Sequence, residues 1–246
     1  MIDVVGAAKQ GLVFRTAEFL KQIVVIGLTV AAVVALLSQC RKPWSWLGRL
    51  IVRNMNARHS AVTDSALQQV SLEKRFIVLD VGCGGGRTID KLAAIASEGK
   101  VYGIDYSAAS VAEARRTNAR WIETGRVDIQ QGSVSHLPYP DSSFDVVTAV
   151  ETHYYWPNPV EDLREIRRVL KPGGLLVIIA ETYKGRQLDL LYRPAMKLLR
   201  ANYLTVCEHR ELFSAAGYSE ISVLNERRRG WICAVGRRED NLEATD

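Results

Sequence analysis

Residues Phe76–Gly86 read FIVLDVGCGGG: an apolar run, one acidic residue, then glycine at every second position. Phe76 to Leu79 and Val81 are apolar and include β-branched residues, the pattern of a strand buried on both faces of a parallel sheet. Arg87 to Ser97 then reads as a helix. Gly82, Gly84 and Gly86 make the turn between the two. Lacking Cβ atoms, they let the backbone bend sharply and a ligand approach closely, while the start of the following helix presents N–H groups.

Such a turn serves several nucleotide ligands, and its neighbours narrow the choice. A second strand, Val101 to Ile104, ends at Asp105, where a carboxylate is placed to accept hydrogen bonds from ribose hydroxyls. The dinucleotide pattern GxGxxG needs glycine three positions after Gly84, and Arg87 stands there, which disfavours a nicotinamide or flavin. Asp80, inside the turn, repels a pyrophosphate and suits a ligand with a cationic centre and an amino group. S-adenosylmethionine has that chemistry.

At these residues the chain resembles the class I S-adenosylmethionine-dependent methyltransferases, whose first motif D/E-x-G-x-G-x-G is matched from Asp80 to Gly86. The likeness continues through Asp105, through LPYPDSSFDVVTAVET at 137–152 and through LREIRRVLKPGGLLVI at 163–178, within a span from Asn54 to Arg238. It implies an α/β fold, a doubly wound, Rossmann-like seven-stranded sheet with the last strand antiparallel. It also implies S-adenosylmethionine as cofactor, bound by Asp80, Gly82, Cys83, Gly84, Gly86 and Asp105, with Tyr106 beside the adenine. After the third strand, family members commonly carry Asp where this chain has Ser133, followed by Val134. A serine hydroxyl can still accept the adenine amino group's hydrogen bond, with less charge assistance.

A chain of 246 residues, 48% hydrophobic and 24% charged, excludes disordered and fibrous classes and fits one globular domain plus an extension. The net charge of +5 comes with no cluster of basic and aromatic residues, so no nucleic-acid partner is indicated. Cys40, Cys83, Cys207 and Cys233 form no CxxC pair, so neither a metal site nor a disulfide framework is expected.

Residues 22–40, QIVVIGLTVAAVVALLSQC, carry no charge and, at ~1.5 Å per residue, would make a helix close to the ~30 Å bilayer core. The reading is an extension over 1–45 with a candidate membrane helix at 22–40, then a methyltransferase domain over 46–240 with a helical insertion near 185–204. Burial of 22–40 in a protein interface stays open. Arg41, Lys42, Arg49, Arg53 and Arg58 follow the apolar run, which puts the domain on the cytoplasmic side.

Phe144 to Val150 is the fourth strand, delivering Glu151, Thr152, His153 and Tyr154 to the carboxyl edge of the sheet, where open parallel sheets bind ligands. Glu151 serves there as a cofactor contact and, with Tyr154, stands behind His153 as candidate general base for a small-molecule acceptor, lipophilic ones included. The insertion would form a lid over the substrate or a membrane-facing surface. The competing readings are a non-catalytic S-adenosylmethionine-binding or membrane-scaffold protein and a nicotinamide oxidoreductase.

Overall fold

The structure, a computed structural model, describes residues 60–186, 189–226 and 230–239, together with Leu28, Thr29, Val34, Ala35 and Gln39 in helical conformation. Strands β1 (Ile77–Val81), β2 (Lys100–Asp105), β3 (Val127–Gln131), β4 (Phe144–Val150), β5 (Leu170–Ala180), β6 (Tyr218–Glu226) and β7 (Trp231–Arg238) form one sheet in the order β3-β2-β1-β4-β5-β7-β6. The first five are parallel, and β7 runs antiparallel to both β5 and β6, as expected. From β1 the chain builds outward to β2 and β3 and then returns to β4 on the other side. A crevice therefore opens at the carboxyl ends of β1 and β4.

The helices are α1 (Ser60–Leu67), α2 (Arg87–Ile95), α3 (Ala108–Thr117), α4 (Ala119–Glu123), α5 (Pro159–Val169), α6 (Asp189–Leu198) and α7 (Val206–Ala215). Alternation along β1 sends Val78 toward Ile89, Leu92 and Val101 on one face, and Leu79 and Val81 toward Ile104, Leu163 and Phe213 on the other. Both faces are covered, which is why the strands read as continuous apolar runs. Each such buried side chain contributes about 1.5–3 kcal/mol, so the crevice sits on a stiff platform.

Three local features are set by contacts beyond the local sequence. Residues 108–123 divide into α3 and α4 at Asn118, whose buried side chain donates to Gly86 O at 2.8 Å and Ala114 O at 2.9 Å. Glu113 is buried and paired with Arg116 at 2.6 Å. Lys171 to Gly174 lie inside β5, where the pairing with β4 slips between Phe144 and Val146 and Gly173 takes φ 75°. Among the described residues no helix is long and apolar enough to cross a membrane. Apart from the five positions above, residues 22–40 lie outside the described residues, as do 46–59.

Candidate active site

Asp80, next to last in β1, is 1% exposed, and the buried Thr148 hydroxyl donates to its Oδ1 at 2.7 Å. Burial lifts its pKa to about 7; the Thr148 bond works against this and the nearby Asp105 charge adds to it. The carboxyl is therefore poised to ionise when a cation arrives.

In the turn that follows, Gly82 has φ 69°, Gly84 φ 51° and Gly86 φ 78°, all left-handed. A Cβ on Gly82 would collide with Thr152 Oγ1, and one on Gly86 would lie 2.8 Å from Ala114 Cα. At Gly84 a Cβ would meet nothing within 4 Å. Two of the glycines thus admit neighbouring protein atoms, and the third faces open space. The amides are largely committed. Gly82 and Cys83 N–H donate to Ile104 O, Gly84 N–H to Asp105 Oδ2 at 2.9 Å, and Gly86 N–H to Cys83 O. A phosphate cradle keeps such donors free for the anion. Here the turn offers room and carboxylates instead, which matches a sulfonium compound with an amino group and not a pyrophosphate.

Asp105, 7% exposed, accepts at both oxygens, from Gly84 N–H and from Ser107 N–H at 2.8 Å. Burial raises its pKa and these amide bonds oppose the rise. The sequence marks it for ribose; the structure adds that it also ties the glycine turn to the start of α3. The Ser110 hydroxyl draws on part of the remaining acceptor capacity of the carboxylate, and the rest is open to a ligand hydroxyl.

Cys83 departs from expectation. Its side chain turns inward to pack with Ile89 and Ile129, and burial followed by the charges of Asp105 and Asp80 pushes the thiol pKa well up, so only its backbone belongs to the turn. Tyr106 is exposed, and its carbonyl accepts from Gln131 Nε2 at 3.1 Å, while Gly132 N–H donates to Asp105 O. The ends of β2 and β3 therefore share one rim. Ser133 stands exposed on it with its hydroxyl accepting from Ser135 N–H at 3.2 Å, and Val134 is buried behind.

On the other side of the crevice Glu151 adopts φ 56°, a left-handed conformation that strains a side-chain-bearing residue. Its Oε1 accepts from Glu181 N–H, which joins the ends of β4 and β5. Tyr154 does not stand ready as a base. Its hydroxyl donates to Thr182 O at 3.0 Å and accepts from Thr182 N–H at 3.1 Å, and burial with the Glu151 charge pushes the phenol pKa far up. His153, expected first among the bases at the open edge, is 2% exposed and meets His209 of α7, Nε2 to Nε2, at 3.2 Å. His209 Nδ1 lies 2.7 Å from Thr205 O, so it carries the hydrogen. His209 Nε2 then accepts from His153 Nε2–H, leaving His153 Nδ1 an unpaired buried acceptor. Burial holds both imidazoles below their usual pKa, and the pair is neutral.

The structure thus brings Asp80, Gly84, Asp105, Tyr106, Ser133 and Glu151 to one crevice and sets His153, Tyr154 and Cys83 into its walls. Thr148, Asn118 and His209 are supporting residues that sequence reasoning missed, and Thr152, read only as part of the edge loop, fills the space over Gly82. Among the described residues no group of three metal-ligating side chains occurs.

Residues 79–178 match the family described as a methyltransferase domain. The demethylmenaquinone methyltransferase of Geobacillus stearothermophilus is 31% identical over 68% of this chain and 80% of its own length. The 27-O-demethylrifamycin SV methyltransferase of Amycolatopsis mediterranei is 34% identical over 48% of this chain. The chain covers 43% of that protein, about half the length of such curated relatives. A solved S-adenosylmethionine-dependent methyltransferase from Aquifex aeolicus shares the fold, with TM-score 0.65 and 21% identity over 77% of this chain and 97% of that one. The chain belongs to the class I S-adenosylmethionine-dependent methyltransferases, and S-adenosylmethionine is the cofactor of that family. The nicotinamide reading is set aside.

Proposed function

We propose that this chain transfers the methyl group of S-adenosylmethionine to a small lipophilic acceptor. The observation that carries the reading is the glycine turn, open at Gly84 beside two buried carboxylates, with its amides at 82, 83, 84 and 86 already spent on the fold. Bound there, the cofactor supplies an electrophilic methyl carbon on a sulfonium. Asp80 would meet its amino group, Asp105 its ribose hydroxyls, and the rim of Tyr106, Ser133 and Val134 its adenine. Catalysis is then largely a matter of holding an acceptor in line in a water-poor space.

The acceptor side supports a lipophilic molecule. Tyr154, Ala180, Tyr183, Met196 and Ile232 form an apolar and aromatic cluster beside the 151–156 loop, and the names of the menaquinone and rifamycin relatives point to bulky organic acceptors for those proteins. For a hydroxyl acceptor we assign proton removal to Glu151 at the edge, while His153 and Tyr154 position the loop. The same reading keeps the extension at 1–45, the 22–40 segment in a membrane and the 46–240 domain on its cytoplasmic side, supported by the basic residues after the apolar run.

Calorimetry with adenosylhomocysteine, and transfer of labelled methyl from S-adenosylmethionine to apolar phenols and hydroquinones, test the reading. Binding with transfer is expected. Binding with neither transfer nor hydrolysis would favour the non-catalytic alternative, and absence of binding would sink both.

A further inference from the structure

Helix α6 lies over the candidate acceptor site with two unlike faces. Its inner side sets Met196 against Tyr154, Tyr183 and Ile232, and seats Asp189 where it accepts from the Tyr203 hydroxyl at 2.6 Å and pairs with Arg193. On its outer side Leu190 is 79%, Leu191 73% and Leu198 50% exposed. At ~100° per residue these leucines and Pro194 fall within one arc of roughly 100°, a continuous apolar stripe. Lys197 and Arg200 stand exposed at its C-terminal end. Leucines bare on one arc with basic side chains at the border are the pattern of a helix lying in the plane of a lipid interface.

We propose that the outer face of α6 docks on an anionic lipid surface and so holds the acceptor site against the membrane; the proposal rests on the lipophilic-acceptor reading above. Two other occupants fit less well. A second copy docked antiparallel would bring Lys197 and Arg200 toward the partner helix's N-terminal end, whose one carboxylate, Asp189, already serves Arg193 and Tyr203. The uncharged 22–40 segment offers nothing to pair with them, and its described positions Leu28 and Val34 are themselves exposed. An anionic bilayer satisfies both features at once, since leucines enter the headgroup boundary while the cations meet lipid phosphates. Docked this way, α6 places an apolar acceptor dissolved in the membrane one helix away from Tyr154.

The test uses the full chain with Cys40→Ser and Cys207→Ser, carrying Leu191→Cys labelled with an environment-sensitive fluorophore. Vesicles of phosphatidylcholine alone are compared with vesicles containing phosphatidylglycerol. The expected result is a blue shift of the label, and its quenching by lipid-borne nitroxide, with the anionic vesicles. Lys197→Glu with Arg200→Glu should weaken that response at least about tenfold, since each basic residue near an anionic surface is worth about fivefold. A label that stays in water overturns the proposal, even if the chain floats with vesicles through another segment. An equal response to neutral vesicles overturns the anionic assignment. A dimer that dissociates in the labelled variant without lipid assigns the face to a second copy instead. Adenosylhomocysteine calorimetry on the same sample reads the cofactor site separately, so failure of the methyl-transfer reading and failure of the docking surface give different results.

Discussion

Replacing Asp105 by alanine separates what this carboxylate does for a ligand from what it does for the chain. Its oxygens accept from Gly84 N–H at 2.9 Å and Ser107 N–H at 2.8 Å, and the residue is 7% exposed. A hydrogen bond to a charged group contributes about 1.5–3 kcal/mol, and two amides would be left without a partner at the mouth of the crevice. Burial of the charge, which raises the Asp105 pKa, offsets part of that gain. The expected net loss of stability is about 2–4 kcal/mol, or roughly 5–10 °C in melting temperature for a chain of this size. Loss of the ribose contact alone predicts about 1–3 kcal/mol of binding, and a freed glycine turn must be reordered by the ligand, so adenosylhomocysteine affinity should fall by more than that. Asp105→Asn keeps one acceptor oxygen and turns an NH₂ group toward the other amide, so it should lie between alanine and the parent in melting temperature. Thermal melts and calorimetry on the three proteins decide the matter. If Asp105→Ala melts like the parent, the carboxylate does not hold the turn; if its affinity is also unchanged, the ribose assignment fails with it.

Gly82→Ala must push Thr152 away from the turn and should destabilise the fold, whereas Gly84→Val has room, bears only the strain of φ 51°, and should abolish adenosylhomocysteine binding with the far-ultraviolet dichroism retained. Asp80, lifted to about 7, keeps a proton in the folded chain that the unfolded chain has released above about pH 4. Its contribution to stability therefore falls as pH rises through that window, and Asp80→Asn should flatten the slope by roughly 2–4 kcal/mol in urea titrations at about pH 5 and about pH 8. The two histidines have the opposite sign. Their folded pKa values are depressed, so the stability they contribute is present above the unfolded value near 6.5 and is lost as pH falls below it. His209→Phe leaves His153 Nε2–H without its acceptor and should lower stability by about 1–3 kcal/mol at neutral pH while weakening the acid dependence, read by melts on either side of pH 6.5.

The fold was legible because its signals are local. Continuous apolar runs mark strands covered on both faces, glycine at every second position after Asp80 marks a turn without side chains, and the acid ending the next strand marks the ligand edge. These are properties of short stretches, and the first, second and fourth strands lie within a residue of where they read. Where helices end is set by distant partners, as where Asn118 closes α3 and bonds Gly86.

From the sequence by itself came the strands that frame the ligand edge, the glycine turn and the pair of acidic residues beside it. Only the tertiary structure decided what each polar group is free to do. His153 looks like a base at an open edge until His209, 56 residues away, is packed against it. Gly82 looks interchangeable with Gly84 until Thr152 is seen to occupy the space above it. Asp105 looks like a ligand contact alone until the amides of Gly84 and Ser107 are found on its oxygens, which makes it a support of the turn as well. A residue's type and spacing specify its chemistry and its strand or helix, but its hydrogen-bond partners and its dielectric surroundings come from segments that meet only when the chain is packed.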